Sequence, residues 1–180
     1  MGRLRSYTFD DRTARLGDVA DWQRDTDAAL RVYYSQTNLQ FQTRFSFYSP
    51  AELHAELAAR KRETDTLAAL GVLSSLEAAL REDFILRCVR GKSDPLSKHF
   101  QAIYQSKGLR SSLEEDILEG WKQHSTVQAH VVGQIKGAFK FRHWIAHGRY
   151  WEPKLGQIYD FSSTYQIASV VMSGFPLLTR

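Results

Sequence analysis

The chain has 180 residues, of which 43% are hydrophobic and 12% aromatic, and its formal net charge at neutral pH is +4. This length is enough for one globular domain with its own core and too short for two full domains. We therefore expect a single domain over residues 1–180, with a core at about residues 49–175 and an N-terminal extension at about residues 1–48.

Cysteine content and hydropathy indicate in which cellular compartment the protein is expected. Cys88 is the single cysteine, so a disulfide framework and a thiolate metal site are excluded, which fits a reducing environment. The first residues lack an apolar signal core, and no stretch approaches the roughly 20 apolar residues that cross a bilayer. These features predict a soluble cytoplasmic protein with no membrane partner.

Helical signals dominate the first half of the chain. Apolar spacing predicts a helix over residues 17–35. The alternation in "LQFQTRFSF", residues 39–47, indicates a half-buried strand or an extended connector fixed by its aromatic residues. In "SPAE", Ser49 is placed as an N-cap, Pro50 as the first helical residue and Glu52 as the partner in a capping box. The following residues, to about Cys88, form one long helix or two helices that meet near Gly71.

Further helices are predicted over the second half of the chain. Asp94 caps a helix over residues 95–106, and Ser112 begins one that continues through residue 124. A longer helix is expected over residues 126–147 and a last one over residues 163–172. The predicted fold class is all-α, a helical bundle with an N-terminal helix and an extended aromatic segment.

Positive charge is concentrated between residues 121 and 160. This stretch has six basic and two acidic residues, a net charge of +4 that equals that of the whole chain. An acidic cluster of Glu114, Glu115, Asp116 and Glu119 precedes it. The local excess indicates a polyanionic partner such as RNA, although a solvated basic face is the commoner explanation for such a count.

The motif "FRHWIAHGRYW", residues 141–151, ends the helix predicted over residues 126–147. At about 100° per residue, one apolar stripe of this helix contains Arg142, while His143 and His147 lie next to each other on another face. The stripe consists of Val127, Val131, Ile135, Ala138 and Ile145. An arginine in a packing stripe needs an acidic partner, such as Glu77, or an open cleft, because a buried unpaired charge is very costly.

Gly148 predicts that this helix ends at His147, since glycine readily adopts the left-handed conformation that follows a helix. In the last turn, the helix dipole favours the protonated form of the His147 imidazole. His147 could approach Arg142 by leaving ideal helical geometry. A two-fold dimer could also bring an arginine and a histidine together, because the motifs of two chains would then form a joint cleft.

Arginine and histidine in one site suggest phosphate chemistry. A guanidinium is a fixed, permanently charged fork for a phosphate, and an imidazole can transfer a proton near neutral pH. Together with the 2′-hydroxyl of RNA, these groups suffice for strand cleavage without a metal or another cofactor.

Arg142-His143-Trp144-Ile145-Ala146-His147 resembles the R-(polar)-x-x-x-H signature of the HEPN superfamily. The helix "LEAALREDF" is similar to the central helix of HEPN bundles, and the resemblance covers about residues 65–175. It implies an all-α domain that dimerises and acts as a metal-independent endoribonuclease in toxin-antitoxin or other defence systems. By the same resemblance, Arg142 and His147 are the catalytic pair, and His143 occupies the position that is usually Asn, Asp or His.

One position departs from the pattern of HEPN toxins that a nucleotidyltransferase antitoxin controls. In those toxins a tyrosine two residues after the catalytic histidine is modified. Here that residue is Arg149, and Tyr150 follows one residue later. Regulation by this route is therefore in question, although Tyr150 could approach the same cleft.

Other residues near the motif are candidates for RNA contact. An RNA strand could be bound by Lys136, Lys140, Arg149, Tyr150 and Lys154. The alternative is that these charged side chains are simply solvated. The aromatic side chains Trp144, Tyr150 and Trp151 could serve packing, a dimer contact or base stacking. His143 and His147 could bind zinc only with a third ligand, and neither HExxH nor a cysteine pair is present, so no metal site is predicted.

The predicted partners are RNA, a second copy of the chain with the site near the dimer interface, and an antitoxin or regulatory protein. The alternative function is a non-catalytic HEPN module that dimerises and binds nucleic acid or a nucleotide. In that case the motif around Arg142 serves dimerisation or nucleotide binding. A purely structural interpretation is that Arg142 pairs with an acidic residue inside the bundle.

Overall fold

Helices provide the regular structure of the protein, and no strand occurs within residues 14–178, the part of the chain that this computed structural model describes. The predicted all-α class is confirmed. The helices are α1 (Leu16–Tyr33), α2 (Phe41–Phe45), α3 (Pro50–Val89), α4 (Pro95–Lys107), a π-helical turn (Leu113–Leu118) that continues into α5 (Glu119–His124), α6 (Ala129–Ala146) and α7 (Phe161–Gly174).

Helix α3 is the central element of the fold. It begins with the predicted capping box, in which the Ser49 hydroxyl accepts from the Glu52 N–H and the Glu52 carboxylate accepts from the Ser49 N–H. Its 40 residues form one continuous helix about 60 Å long. Its fully buried residues all lie from Ala68 onward, so the second half of α3 passes through the core and the first half extends beyond it.

Helix α1 lies antiparallel to the first half of α3. Gln23 donates to Asp65 at 2.9 Å, and Lys61 pairs with Asp27 at 2.9 Å. Gly71 faces Val19, whose Cγ1 would lie 3.2 Å from a Cβ at that position. Gly71 therefore marks a close contact between two helices, and of the two possibilities for this segment the structure has the single helix.

The extended conformation predicted for the aromatic segment at residues 39–47 is wrong, because Phe41–Phe45 form a short helix. Phe41 and Phe45 lie four residues apart on one face, with ring centroids 5.3 Å apart, and Phe45 also contacts Tyr34. Leu39 and Phe47 are almost fully exposed. The alternation of apolar residues thus does not mark one buried face, and no neighbouring strand is available for pairing among residues 14–178.

The main core surrounds the second half of α3. Helices α4, α6 and α7 and the π-helical turn pack against it. The largest fully buried side chains among the described residues include Trp121, Phe100, Leu73, Leu76, Leu80, Ile117, Leu118 and Ile135. Cys88 is buried in the same core, and burial raises the pKa of its thiol to about 12. The thiol is therefore uncharged at neutral pH.

A buried ion pair fixes the chain after α7. Both carboxylate oxygens of Asp83 accept from the Nε of Arg87 at 2.9 Å. The Nη2 of Arg87 donates to the carbonyl of Pro176 at 2.7 Å, and Asp83 accepts from the backbone N–H of Leu178 at 2.8 Å. The pair thereby holds the C-terminal segment against α3.

The segment from Ser112 to α5 begins with a turn that is wider than a turn of an α-helix. The Ser112 hydroxyl accepts from the N–H of Glu115, so the predicted start is confirmed. The N–H of Ile117 bonds to the carbonyl of Ser112, five residues back, which is the π-helical pattern. Glycine at position 120 then lets α5 approach α4, because a Cβ there would lie 2.6 Å from Cε1 of Phe100.

We predict that Gly120→Ala destabilises the fold by about 1–3 kcal/mol, because the added methyl overlaps a fully buried ring. Gly133→Ala on α6 is the matched control, since a Cβ at that position meets nothing within 4 Å. This control should be neutral or stabilising by up to about 1 kcal/mol, because alanine favours the helix. Urea unfolding of both variants measures the difference, and equal midpoints would contradict the close approach.

We also predict that stability falls when the pH is lowered from about 7.5 to about 5.5. Burial and the neighbouring His124, at a ring-centroid distance of 4.2 Å, lower the pKa of the His99 imidazole, although Asp116 opposes the shift. The unfolded chain therefore takes up this proton first, and stability is lost below the ordinary histidine pKa of about 6.5. Urea midpoints should change less with pH in His99→Gln than in the exposed control His54→Gln.

Candidate active site at the end of α6

His143 and His147 lie side by side at the C-terminal end of α6. Both side chains are exposed, and their ring centroids are 4.2 Å apart, as their four-residue spacing predicts. The last helical residue is Ala146, one residue before the predicted end, and His147 caps the helix with φ −96°. Gly148 has φ +82°, the left-handed conformation expected of it. The two imidazoles are thus presented to solvent by the last turn and its cap.

Arg142 points towards α3 and forms an ion pair there. Its Nη2 lies 3.0 Å from Oε2 of Glu77, with the arginine side chain 35% exposed and the glutamate 18% exposed. The other oxygen of Glu77 accepts from the Nε of Arg81, four residues later on α3, at 2.7 Å. One carboxylate therefore contacts two arginines, and this cluster carries a net positive charge.

The Glu77 partner that the sequence offered for Arg142 is present in the structure. Within residues 14–178, no hydrogen bond or ion pair joins Arg142 to His143 or His147. The Nε of Arg142 is buried and has no hydrogen-bond partner among those residues. A single chain therefore places the arginine and the two histidines on different sides of α6.

The apolar stripe of α6 is confirmed in part. Ile135, Ala138 and Ile145 are buried as predicted, and Val131 is half-buried. Val132, Phe139 and Phe141 are buried outside the predicted stripe, because α6 packs against α3, α5 and α7 on more than one side.

A cleft of about 320 Å³ opens beside the histidines. Its walls include His143 and Lys140 of α6, Trp151 and Lys154 of the segment after α6, and Glu114 of the π-helical turn. The indole N–H of Trp144 donates to the carbonyl of Trp151 at 2.6 Å, which fixes the segment against α6. The cleft thus combines an imidazole, two ammonium groups, a carboxylate and an indole.

The five residues that were predicted to contact RNA have different surroundings in the structure. Lys140 and Lys154 are exposed and line the cleft. Tyr150 is 83% exposed, with its ring against that of Trp151 at a centroid distance of 4.6 Å. Two of the five predicted contacts therefore line the cleft, and Tyr150 lies against one of its walls.

The other two predicted contacts are engaged in ion pairs. Lys136 donates to Glu119 at 2.8 Å, and this bond, with smaller contributions from Gln123 and Lys122, lowers the pKa of the Glu119 carboxyl to about 2. Arg149 forms a bidentate pair with Glu63 at 2.7 and 2.8 Å. Arg149 also has a positive φ of 57°, so its backbone belongs to the tight turn after the helix. Neither side chain is directed into the cleft.

Two residues of the site have roles that the sequence did not assign. Glu114 lines the cleft and was predicted only as part of an acidic cluster. Arg81 shares Glu77 with Arg142. The acidic cluster before the basic stretch is the only sequence feature that singles out Glu114, and it does not distinguish Glu114 from its acidic neighbours.

Neither a metal-ligand cluster nor a membrane span is found in the described part of the chain. No three His, Cys, Asp or Glu side chains of residues 14–178 lie close enough together to hold a metal ion. No helix in the same range has the length and apolar character needed to cross a bilayer. No family model, curated protein or solved structure matches the chain. The fold and the site define an all-α protein with a histidine pair beside a basic, aromatic cleft.

We predict that Glu77→Gln lowers the free energy of unfolding by on the order of 1–3 kcal/mol, because it removes the charge that Arg81 and Arg142 share. Glu114→Gln is the matched control, since no hydrogen bond or ion pair of Glu114 is formed within residues 14–178. Its stability should stay within about 0.5 kcal/mol of the native protein. Chemical unfolding of both variants at one pH makes the comparison, and an equal loss in both would argue against a shared carboxylate.

Proposed function

We propose that this protein is a metal-independent endoribonuclease of the HEPN type, which acts as a homodimer on RNA in a toxin or other defence system of the cytoplasm. The observation that carries this proposal is the cleft at the end of α6, where His143 lies beside Lys140, Lys154 and Trp151. Lysines attract the phosphate backbone and an indole stacks on a base, so these groups suit a single RNA strand.

The histidine pair supplies the proton transfers that RNA cleavage needs. In the proposed reaction, the imidazole of His147 takes the proton of a ribose 2′-hydroxyl, and that oxygen attacks the adjacent phosphorus. The bond from phosphorus to the 5′-oxygen breaks, and the departing oxygen receives a proton from the protonated imidazole of His143. The products are a 2′,3′-cyclic phosphate and a 5′-hydroxyl end.

Arg142 is proposed to stabilise the negative charge that develops on the phosphorane. Its Nη2 pairs with Glu77 and its Nε is buried, but the side chain is one-third exposed, so the rest of the guanidinium is accessible to a phosphate. Because Arg142 and the histidines lie on different sides of α6 in one chain, we propose that a two-fold dimer brings the Arg142 of one chain to the histidines of the other.

A second candidate function is a binding module that does not cleave RNA. The ion pair between Arg142 and Glu77 favours it, because an arginine engaged by a partly buried carboxylate has a structural role without any catalysis. In this case the cleft binds nucleic acid or a nucleotide through Lys140, Lys154 and Trp151, and the histidines have no reaction to perform.

An antitoxin or regulatory protein is a further proposed partner. Tyr150 is exposed at the edge of the cleft and touches Trp151, so a modification of its hydroxyl would add bulk beside the RNA site. This position supports Tyr150 as the regulated tyrosine, although it lies one residue later than in the HEPN toxins with that control.

We predict that the native protein cleaves mixed RNA in EDTA and leaves cyclic phosphate ends. His147→Ala and Arg142→Ala should each lower the rate by at least about 100-fold, the lower range for a general acid-base or charge-stabilising group. His130→Ala is the matched control, because His130 is exposed at the opposite end of the same helix. Gel analysis of the RNA and the size of each variant in solution are the measurements.

Mixing the variants tests the dimer. If each site combines two chains, a mixture of His147→Ala and Arg142→Ala regains activity through the dimers in which one site holds both native residues. Cleavage that survives both single substitutions would show that other residues carry the reaction. Intact RNA in every lane, with RNA still bound, would favour the binding module.

A further inference from the structure

We propose that the cleft beside His143 binds one base of the RNA and that Glu114 reads its edge, which makes the protein selective for guanine. This inference rests on the proposed function in one respect, that the ligand of the cleft is RNA. It goes further because it assigns a specificity-determining residue and a substrate class.

The size and walls of the cleft fit one nucleotide. Its volume of about 320 Å³ lies at the lower end of the range for small-molecule sites, roughly 300–1,000 Å³. Trp151 is half-buried, and the hydrogen bond from Trp144 to its carbonyl holds its backbone in place. The indole of Trp151, which lines the open cleft, is a stacking surface for any base, so stacking supplies affinity without selectivity.

Glu114 is the unexpected group in this cleft. Its side chain is half-buried and lines the same space as Lys140 and Lys154, yet within residues 14–178 its carboxylate forms no ion pair and no hydrogen bond. Two acidic neighbours are engaged elsewhere, since Asp116 pairs with Lys107 at 2.7 Å and Glu119 pairs with Lys136 at 2.8 Å. The Glu114 carboxylate thus remains available to a ligand.

A carboxylate would weaken a site built for phosphate alone, because like charges repel. It suits a ligand that offers hydrogen-bond donors, since an ionised carboxylate only accepts. Guanine carries two adjacent donors on its Watson–Crick edge, N1–H and the 2-amino group, and these match the two oxygens of one carboxylate. Uracil offers one N–H between two carbonyls, and adenine and cytosine each offer an amino group next to an acceptor nitrogen, so these bases fit a carboxylate less well.

The remaining groups of the cleft complete the recognition. Lys140 and Lys154 are exposed at its walls, and no hydrogen bond or ion pair of either is formed within the described residues. Their ammonium groups can contact phosphates next to the bound base. His143 belongs to the same wall, so a guanine in the cleft would set the neighbouring phosphate beside the histidine pair.

The test is equilibrium binding of short 2′-O-methyl oligonucleotides, which cannot be cleaved by 2′-hydroxyl attack. Each probe contains uridines with one central guanosine, adenosine, cytidine or uridine, and fluorescence anisotropy gives the four dissociation constants. The native protein should bind the guanosine probe about tenfold more tightly than the others, the effect of one well-matched interaction of about 1.4 kcal/mol. Glu114→Gln should reduce this preference to about threefold or less.

Glu115→Gln is the matched control, because Glu115 is the exposed neighbour of Glu114 and does not line the cleft. It should retain the guanine preference, and circular dichroism should show native helix content in both variants. Equal binding of the four probes by the native protein would overturn the inference, as would an unchanged preference in Glu114→Gln or no binding of any probe.

The outcome of this binding experiment is independent of the outcome of the cleavage experiment. Guanine selectivity that depends on Glu114, without cleavage of natural RNA, would support this inference and refute the nuclease. Cleavage that depends on His147 and Arg142, without base preference in the four probes, would support the nuclease and refute the role of Glu114.

Discussion

The buried ion pair of Asp83 and Arg87 is the interaction on which the rest of the structure depends. It lies on the core-facing side of α3, where a charge is tolerated only with a partner and full hydrogen bonding. Arg87 also contacts Asp94 before α4 and the ring of Trp121 in α5, and the pair binds the backbone of Pro176 and Leu178. Three other parts of the chain are thereby held at one point of the central helix, and their relative positions define the bundle against which α6 packs.

The candidate site lies between this helical bundle and the tight turn that follows α6. Helix α6 is buried through Ile135, Phe139 and Ile145, so its last turn is fixed while its outer face remains open. The chain then reverses through Gly148 and Arg149, both with positive φ, and Arg149 binds Glu63 on the first half of α3. This turn places Trp151 and Lys154 at the outer face of α6. These two residues therefore form a wall of the cleft beside the histidines.

The charges around α6 divide into two groups with different physical roles. Glu77, shared by Arg81 and Arg142, and Glu119, bound by Lys136, hold helices together through ion pairs that are partly shielded from water. Lys140, Lys154 and Glu114 line the cleft and have no ion-pair partner within residues 14–178. The first group explains why much of the basic stretch is structural. The second group is the part that a ligand can use within one chain, and it supports the proposed RNA binding and the proposed guanine preference.

The sequence by itself determined the helical class, most helix boundaries, the caps at Ser49, Asp94 and Ser112, and the adjacency of His143 and His147, because these depend on local spacing and backbone hydrogen bonding. It also named Glu77 as a partner for Arg142, without deciding between pairing and catalysis. Only the tertiary structure decided that residues 41–45 are helical, that Gly71 is a contact and not a break, and that Arg149 binds Glu63. These outcomes depend on which distant element packs against a residue, and helical periodicity contains no information about that choice.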